Sequence, residues 1–541
     1  MDDPRREQSS PAVGRTFRFG SARTGHVRPV TTTAPTAGSR RTRSDFLDRY
    51  PLAVPLSVAA LVVVRLFEIR GGASPDEGGF LLVAGQWHAG GTSLYGDYWV
   101  DRPPLLIAFF RLADLAGGLV GLRVLGMLAA VTTVVLLAST ARRVFGRRAA
   151  GWTAVVAAAL LVSPLYGAID VNGELIALPL LALGIRAAVE AVVAEDALVA
   201  RGAGLLTGVT AVSALLVKQN MVDVVVFAAV CWLVAWRRHR IDGRRVRDLV
   251  LLAVAGGVLA YGVVMLSALA HGTTPAAVYE ATYPFRVEAA KVIAAGTSQA
   301  PTLRLHRLGL SFLLSAAPVV LLGFLALGVR RTRSPEVVWA LIATGAWTTF
   351  SVVAGGSYWL HYLVESVPVV ALAAGALSLR SVALVRAAVG LVAVSALVAA
   401  VIVMLHPTAT PGTTVGRAIE RSAQPGDTLV SAFGDPDILR SAGMTSPYPY
   451  LWSLPSRTLD PELTELRAVL AGPRAPTWLV VRGANTRERL AEHGATVVLD
   501  QRYRTVGQVC GRTIYLLRSV DRAPLTDDGD RDDACHGLVI P

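Results

Sequence analysis

The chain has 541 residues, of which 53% are hydrophobic and 17% charged, with a mean hydropathy of +0.50. Soluble globular domains carry charge on about a quarter of their residues, so this composition excludes one and points to a polytopic α-helical membrane protein. The net charge of +13 does not imply nucleic acid as a partner. The basic residues gather in short loops between apolar runs, which is a signature of membrane topology.

Residues 1–44 are rich in Arg, Ser, Thr, Pro and Gly and poor in apolar side chains, the composition of a disordered tail. It does not read as a cleavable signal: the first apolar run starts only near Leu52, with no clear small-residue cleavage site after it. A membrane-spanning helix needs about 20 predominantly apolar residues. Spans are predicted near 52–70, 121–141, 150–167, 174–194, 203–217, 221–236, 248–270, 309–329, 336–355, 360–379 and 384–405, roughly eleven in all. The span ending at Val217 is short, which leaves the count open by one or two.

Arg142, Arg143, Arg147 and Arg148 form one basic cluster, and Arg237, Arg238, Arg240, Arg244, Arg245 and Arg247 a second. Arg330, Arg331 and Arg333 form a third, and Arg380 with Arg386 a weaker fourth. With a cytoplasmic N-terminus all four fall on one side. The positive-inside rule therefore places the N-terminus in the cytoplasm and the C-terminus outside a plasma (inner) membrane. The outer segments are then 71–120, 169–173, 218–220, 271–308, 355–361 and everything after about 406. Within the first, Pro103–Gly118 is apolar but carries Arg111 and Asp114, which suits an interfacial amphipathic helix.

After Pro411 the composition changes. Asp427–Phe433, Thr477–Arg482, Ala495–Leu499 and Thr513–Leu517 read as strands, and Arg417–Ala423 and Thr486–His493 as helices. That alternation suggests a small extracytoplasmic α/β domain. The expected division is a tail at 1–44, a transmembrane catalytic domain at 45–410, the α/β domain at 411–520 and an acidic tail at 521–541. Cys231 lies in an apolar run and reads as an inert small hydrophobe. Cys510 and Cys535 lie in the polar C-terminal region. A disulfide and two free thiols are both open, since sequence does not give their separation.

Several motifs collect on the outer face. Asp76 and Glu77 stand where the first span leaves the bilayer, in Ser74-Pro75-Asp76-Glu77-Gly78-Gly79. Their functional reading is a general base for an acceptor hydroxyl; the competing one is a solvated loop end or a helix N-cap. Tyr95 and Asp97 follow in Tyr95-Gly96-Asp97-Tyr98, and Arg102 precedes Pro103-Pro104, which fix the backbone and aim a guanidinium suited to phosphate. Asp170 and Glu174 flank Asn172-Gly173, with Glu174 at the start of a span. A helix dipole favours an acid there, and an acid at the hydrocarbon edge is also costly and often functional. Lys218 ends a span, and Tyr358, Trp359, His361 and Tyr362 begin another. Snorkelling and the interfacial aromatic belt account for much of this without function, and His361 is the least explained. Tyr283 and Arg286 in the long loop are weaker candidates for lining a cleft. No zinc spacing, P-loop, nucleophile elbow or CxxC occurs.

Asp76-Glu77-Gly78, Leu94-Tyr95-Gly96-Asp97 and Arg102-Pro103-Pro104-Leu105 resemble the first extracytoplasmic loop of the GT-C glycosyltransferases. The nearest branch is that of the protein O-mannosyltransferases and aminoarabinose transferases. Asn172-Gly173-Glu174, Lys218-Gln219 and Tyr358–Tyr362 are similar in placement, and the resemblance covers about residues 50–405. It implies a polyprenyl-phosphate sugar donor and an inverting transfer on the outer face. It assigns Asp76 as base, Glu77 as the neighbour that orients it and Glu174 as second acid. Arg102, Lys218 and His361 would hold the donor phosphate. Many relatives carry Lys where Arg102 stands, which keeps the charge but not the geometry. A divalent cation between the paired acids is compatible with this reading, and glycan, lipid and protein acceptors are all open. The alternative class is a transporter or flippase of lipid-linked sugars. Transporters favour mid-membrane charges and internal repeats, whereas here the acids sit at span ends.

Overall fold

The computed structural model describes residues 51–296, 299–329, 334–406, 409–525 and Cys535. The tail expected at 1–44, the Arg330, Arg331 and Arg333 cluster and most of the acidic tail lie outside the described residues.

The helical body runs α1 (Ala53–Glu68), α2 (Pro75–Gly85), α3 (Pro104–Leu115), α4 (Leu119–Phe145), α5 (Arg147–Val162), α6 (Gly173–Val193), α7 (Ala197–Val217), α8 (Asp223–Arg237) and α9 (Gly243–Ala270). It continues with α10 (Pro275–Thr282), α11 (Pro284–Ala295), α12 (Ala300–Leu314), α13 (Ala317–Gly323), α14 (Pro335–Ala354), α15 (Val367–Leu377) and α16 (Val382–Leu405). Each of the apolar runs expected to span forms helix. Among the described residues, seven segments are long and apolar enough to cross a membrane: α4, α6, α7, α9, α14, α16 and the 360–377 run that ends in α15. The segment 300–328, bent by 63° between Leu314 and Ala317, makes an eighth if counted as one span. The break falls at Ala316, whose φ of 60° is left-handed. α1, α5 and α8 have 16, 16 and 15 residues, short of the ~20 that a crossing takes.

Local chemistry sets the helix ends that matter for the site. Ser74 caps α2 in a reciprocal box with Glu77, and Pro75 occupies its first turn. The Asn172 side chain accepts from the Leu175 N–H at 3.0 Å and starts α6. α6 is central, with two thirds of its apolar stretch buried. α7 and α9 pack backbone to backbone through small residues: a Cβ on Gly208 would lie 1.8 Å from the Ala253 carbonyl oxygen. This is how helices without a hydrophobic driving force gain contact. The segment at 103–118 forms α3, with Leu106, Ile107 and Phe110 buried and Leu112 and Leu115 exposed, as its amphipathic pattern predicts.

The C-terminal part carries α17 (Pro411–Glu420), β1 (Leu429–Ala432), α18 (Pro436–Ser441), α19 (Ser453–Leu459), α20 (Thr464–Ala471), β2 (Trp478–Arg482), α21 (Gly483–Glu492), α22 (Ala495–Arg502), β3 (Tyr503–Val509) and β4 (Arg512–Leu517). Its mixed sheet has the order β1-β2-β4-β3. β1 and β2 pair in parallel from Leu429 opposite Trp478, and the other pairs are antiparallel. One expectation is corrected. Ala495–Leu499 is helical: its β-branched residues suggest a strand, but burial falls on Ala495 and Leu499, one helical turn apart. The strand lies just after it, at β3, where a charged and Gly-containing edge sequence hides it. Cys510, in the β3–β4 turn, is disulfide-bonded to Cys535.

The sheet layer docks on the helical body as part of one compact unit. Close approach requires glycine at two points of α2. A Cβ on Gly78 would lie 2.6 Å from the Asp437 Cα, and one on Gly79 2.4 Å from the Trp452 ring. The Trp99 N–H donates to the Pro449 carbonyl at 3.1 Å, the Ser446 N–H to the Tyr98 hydroxyl at 2.8 Å, and Arg440 pairs with Asp114 at 2.7 Å.

Candidate functional site

Asp76 sits in the first turn of α2, half-buried, and its Oδ1 accepts a hydrogen bond from the Trp452 indole N–H at 3.0 Å. Glu77 points the other way and is fully buried. Its Oε2 accepts from the Ser74 N–H at 3.1 Å and from Arg123 at 3.0 Å. Its Oε1 accepts from the Val171 N–H at 3.1 Å and from Arg123 at 3.3 Å. Both oxygens are filled by protein donors, so Glu77 offers nothing to a ligand. It instead ties the Asp76 loop to the loop that leads into Glu174. Arg123 also donates to the carbonyls of Glu68, Gly71 and Gly72. Arg65 does the same for the second loop, donating to the carbonyls of Leu161, Ala168 and Ile169. Asp170 lies beside this network. Burial, and then the Glu77 carboxylate, push its carboxyl up to about 7.

Glu174 occupies the first turn of α6 and is 2% exposed. It pairs with the Lys218 ammonium, and the His361 Nε2 lies 3.6 Å from the same oxygen. Lys218 also stands 4.4 Å over the Tyr362 ring, and the His361 ring meets Tyr362 edge-on at 5.2 Å. A buried lysine is tolerable only with such company. Arg304 lies 4.3 Å over Trp359 in the same turn. Tyr358, half-buried with φ 54°, packs against the core.

Arg102 donates to Asp101 Oδ1 at 2.7 Å, and Arg286 reaches the other Asp101 oxygen at 3.0 Å. One carboxylate between two guanidiniums leaves a surplus positive charge. Burial alone would lower the Arg102 guanidinium, but Asp101, Asp76, Tyr362 and Glu174 hold it above its usual range. Burial alone would likewise raise the Asp101 carboxyl, and Arg102 and Arg286 hold it below. Asp76 and Arg102 are both within electrostatic reach of His361. Asp76, Arg102, Glu174, Lys218, His361 and Tyr362 thus share one neighbourhood, with Arg286 on its rim.

Other sequence candidates stand apart from it. Tyr95 is buried, and its hydroxyl donates to the Arg102 carbonyl at 2.6 Å, so it shapes the loop rather than the cleft. Asp97 is exposed in a turn whose backbone N–H donates to Gln86. Tyr283 is half exposed and packs on Tyr279. Among the described residues no group of three or more His, Cys, Asp or Glu is placed to hold a metal. With Glu77 fully engaged, the paired acids do not fit the cation that the sequence made compatible. Sequence reasoning missed Trp452, Asp101 and Arg123. Asp101 adjoins Arg102 and was legible as its partner, and Ser74-x-x-Glu77 is a readable capping box. Nothing local marks Trp452. A cavity of about 220 Å³ lies beside Gly72, Thr413, Arg417 and Arg440, and none of the site's charged groups line it.

No protein-family model matches the sequence, and no curated protein matches it either. Solved structures do. The structure of ArnT from Cupriavidus metallidurans bound to undecaprenyl phosphate is similar with a TM-score of 0.61 at 16% identity, over 85% of this chain and 97% of that one. Its apo form gives 0.56 at 14% identity, over the same shares. The archaeal oligosaccharyltransferase AglB from Archaeoglobus fulgidus, in complex with an inhibitory peptide and a dolichol-phosphate, gives 0.53 at 12% identity, over 88% and 77%. The chain therefore shares its fold with ArnT and AglB.

Proposed function

We propose that this chain is a membrane glycosyltransferase that moves a sugar from a polyprenyl-phosphate donor to a hydroxyl of a cell-envelope acceptor, with inversion. The observation that carries the reading is the gathering of one available carboxylate, Asp76, with Arg102, Lys218 and His361 at the ends of apolar helices. Two of the similar folds are described with undecaprenyl phosphate or a dolichol-phosphate bound, which supports a donor of that class here.

In this mechanism the acceptor hydroxyl attacks the anomeric carbon while Asp76 takes its proton. The polyprenyl phosphate leaves, and Arg102, Lys218 and His361 stabilise the charge that develops on its oxygens. Glu174 holds Lys218 against Tyr362, which keeps the ammonium in place before the donor arrives. Glu77 and Arg123 fix the Asp76 loop, so little reorganisation is needed at the moment of reaction. The Cys510–Cys535 disulfide supports an extracytoplasmic C-terminal α/β domain at 411–520, because such bonds persist in oxidising compartments. Arginine clusters at Arg142–Arg148 and Arg237–Arg247 support a cytoplasmic N-terminus.

Purified protein in liposomes, given a panel of radiolabelled polyprenyl-phosphate sugars and an envelope extract, tests this. Transfer by wild type, and a loss of at least about a hundredfold in a folded Asp76→Asn variant, is the expected result, since general-base catalysis is worth about 10² to 10⁴. Full activity in Asp76→Asn removes Asp76 as base. Transbilayer movement of lipid sugar without transfer replaces the enzyme by a flippase.

A further inference from the structure

The C-terminal layer reaches the reacting end of the molecule at one side chain. Trp452 lies at the N-terminal edge of α19, 376 residues from Asp76 in the chain, and its indole N–H donates to Asp76 Oδ1 at 3.0 Å. The ring is held from both sides. It packs on Phe80 with centroids 5.1 Å apart, and its far edge lies over Gly79, where a Cβ would come within 2.4 Å. The strip that bears it is fastened to the helical body. The Trp99 N–H donates to the Pro449 carbonyl, and Tyr98 accepts from the Ser446 N–H. The same loop continues into Asp101 and Arg102. An indole is a donor only, so the contact fixes the Asp76 carboxylate by one of its two oxygens. It also occupies Oδ1 and leaves Oδ2 as the oxygen for an incoming hydroxyl.

We infer that Trp452 is a positioning residue for the Asp76 base, so that the active site is completed by the C-terminal layer rather than built by the helical body alone. The inference rests on the transferase reading above. Trp452 does not touch the reacting atoms. It selects which Asp76 oxygen faces them.

The test is Trp452→Phe in the liposome assay, with benzothienylalanine at position 452 as an isostere that keeps the ring shape and lacks the N–H. Both are expected to lower kcat by about 10- to 100-fold, below the loss for a donor that contacts the transition state. KM for the donor should stay within about twofold, so that the loss falls on kcat alone. An unchanged kcat in both variants overturns the inference. A lower kcat in Trp452→Phe with a wild-type kcat in the isostere also overturns it, because lost packing alone would give that. Should Trp452→Phe fail to fold, the isostere decides. A wild type that transfers no sugar sinks the function proposed, not this contact. The ¹⁵N–¹H resonance of the Trp452 indole then decides, since it must shift in Asp76→Asn, and a resonance that stays put removes the contact.

Discussion

Adjacent acids in the chain have opposite fates. Asp76 keeps one oxygen open, while Glu77 is enclosed by Ser74, Arg123 and Val171. Breaking a buried ion pair by removing one partner costs about 3–5 kcal/mol, because the survivor stays buried and charged. Glu77→Gln is therefore expected to lower thermal stability by an amount of that order, read by the melting of detergent-solubilised protein. Asp76→Asn should barely move the same transition. If Glu77→Gln melts like wild type, the carboxylate is not what joins the two loops. The sequence made Asp76, Arg102, Glu174, Lys218 and His361 legible because each is a polar group at the end of an apolar run, where solvation makes it conspicuous. Glu77 looks the same on that criterion, and only its donors separate it from Asp76. Asp97 and Tyr283 were attractive for their chemistry alone; Asp97 is exposed, and Tyr283 is half exposed and packs on Tyr279.

Between elements, the contact that matters most joins α2 to α18. Asp437 is 3% exposed, its Oδ1 has no hydrogen-bond partner among the described residues, and it is wedged against Gly78 and Gly412. Burial, and then the nearby Asp435 carboxylate, raise it to about 7, against a weaker downward pull from Arg512. The unfolded carboxyl titrates near 3.9, so the folded form holds the proton more tightly. The stabilisation from this group is full below about pH 4 and is lost as pH rises through about 7. Asp437→Asn should flatten the fall in melting temperature between pH 5 and pH 8 relative to wild type, and melt higher at pH 8. Identical pH slopes in the two proteins would show that Asp437 does not titrate in that window. Elements of this kind were only half legible. Long apolar runs announce α4, α6 and α16 outright, whereas β3 is an exposed edge whose alternation is broken by Gly507. α1, α5 and α8 have the right composition but only 16, 16 and 15 helical residues, α5 ending at Ser163-Pro164.

At the scale of the whole molecule, the polar groups of the site gather where apolar helices end and where the sheet layer caps them. On the proposed topology, a fusion reporter after Pro541 that is active only outside the cytoplasm, such as alkaline phosphatase, is expected to be active. One after Arg240, in the second arginine cluster, should be silent. A silent C-terminal fusion would invert the orientation and carry the whole site to the cytoplasmic face. Hydropathy alone reaches this far because the bilayer acts uniformly on every span. It does not reach the docking of the sheet layer, which depends on shape at Gly78, Gly79 and Gly412 and leaves no periodic trace.

The fit between Gly79 and Trp452 bears on how such proteins diversify. A sheet layer that follows the helical body in the chain is the natural unit to exchange in a chimera. Here exchange is constrained. A transplanted layer that lacks an indole at the equivalent of Trp452 would leave a hollow over Gly79 and an Asp76 without its donor. A body that replaced Gly79 with any larger residue would reject the indole. The two halves are heritable only as a matched pair, so a functional chimera between distant homologues needs its junction drawn to keep lock and key from the same parent.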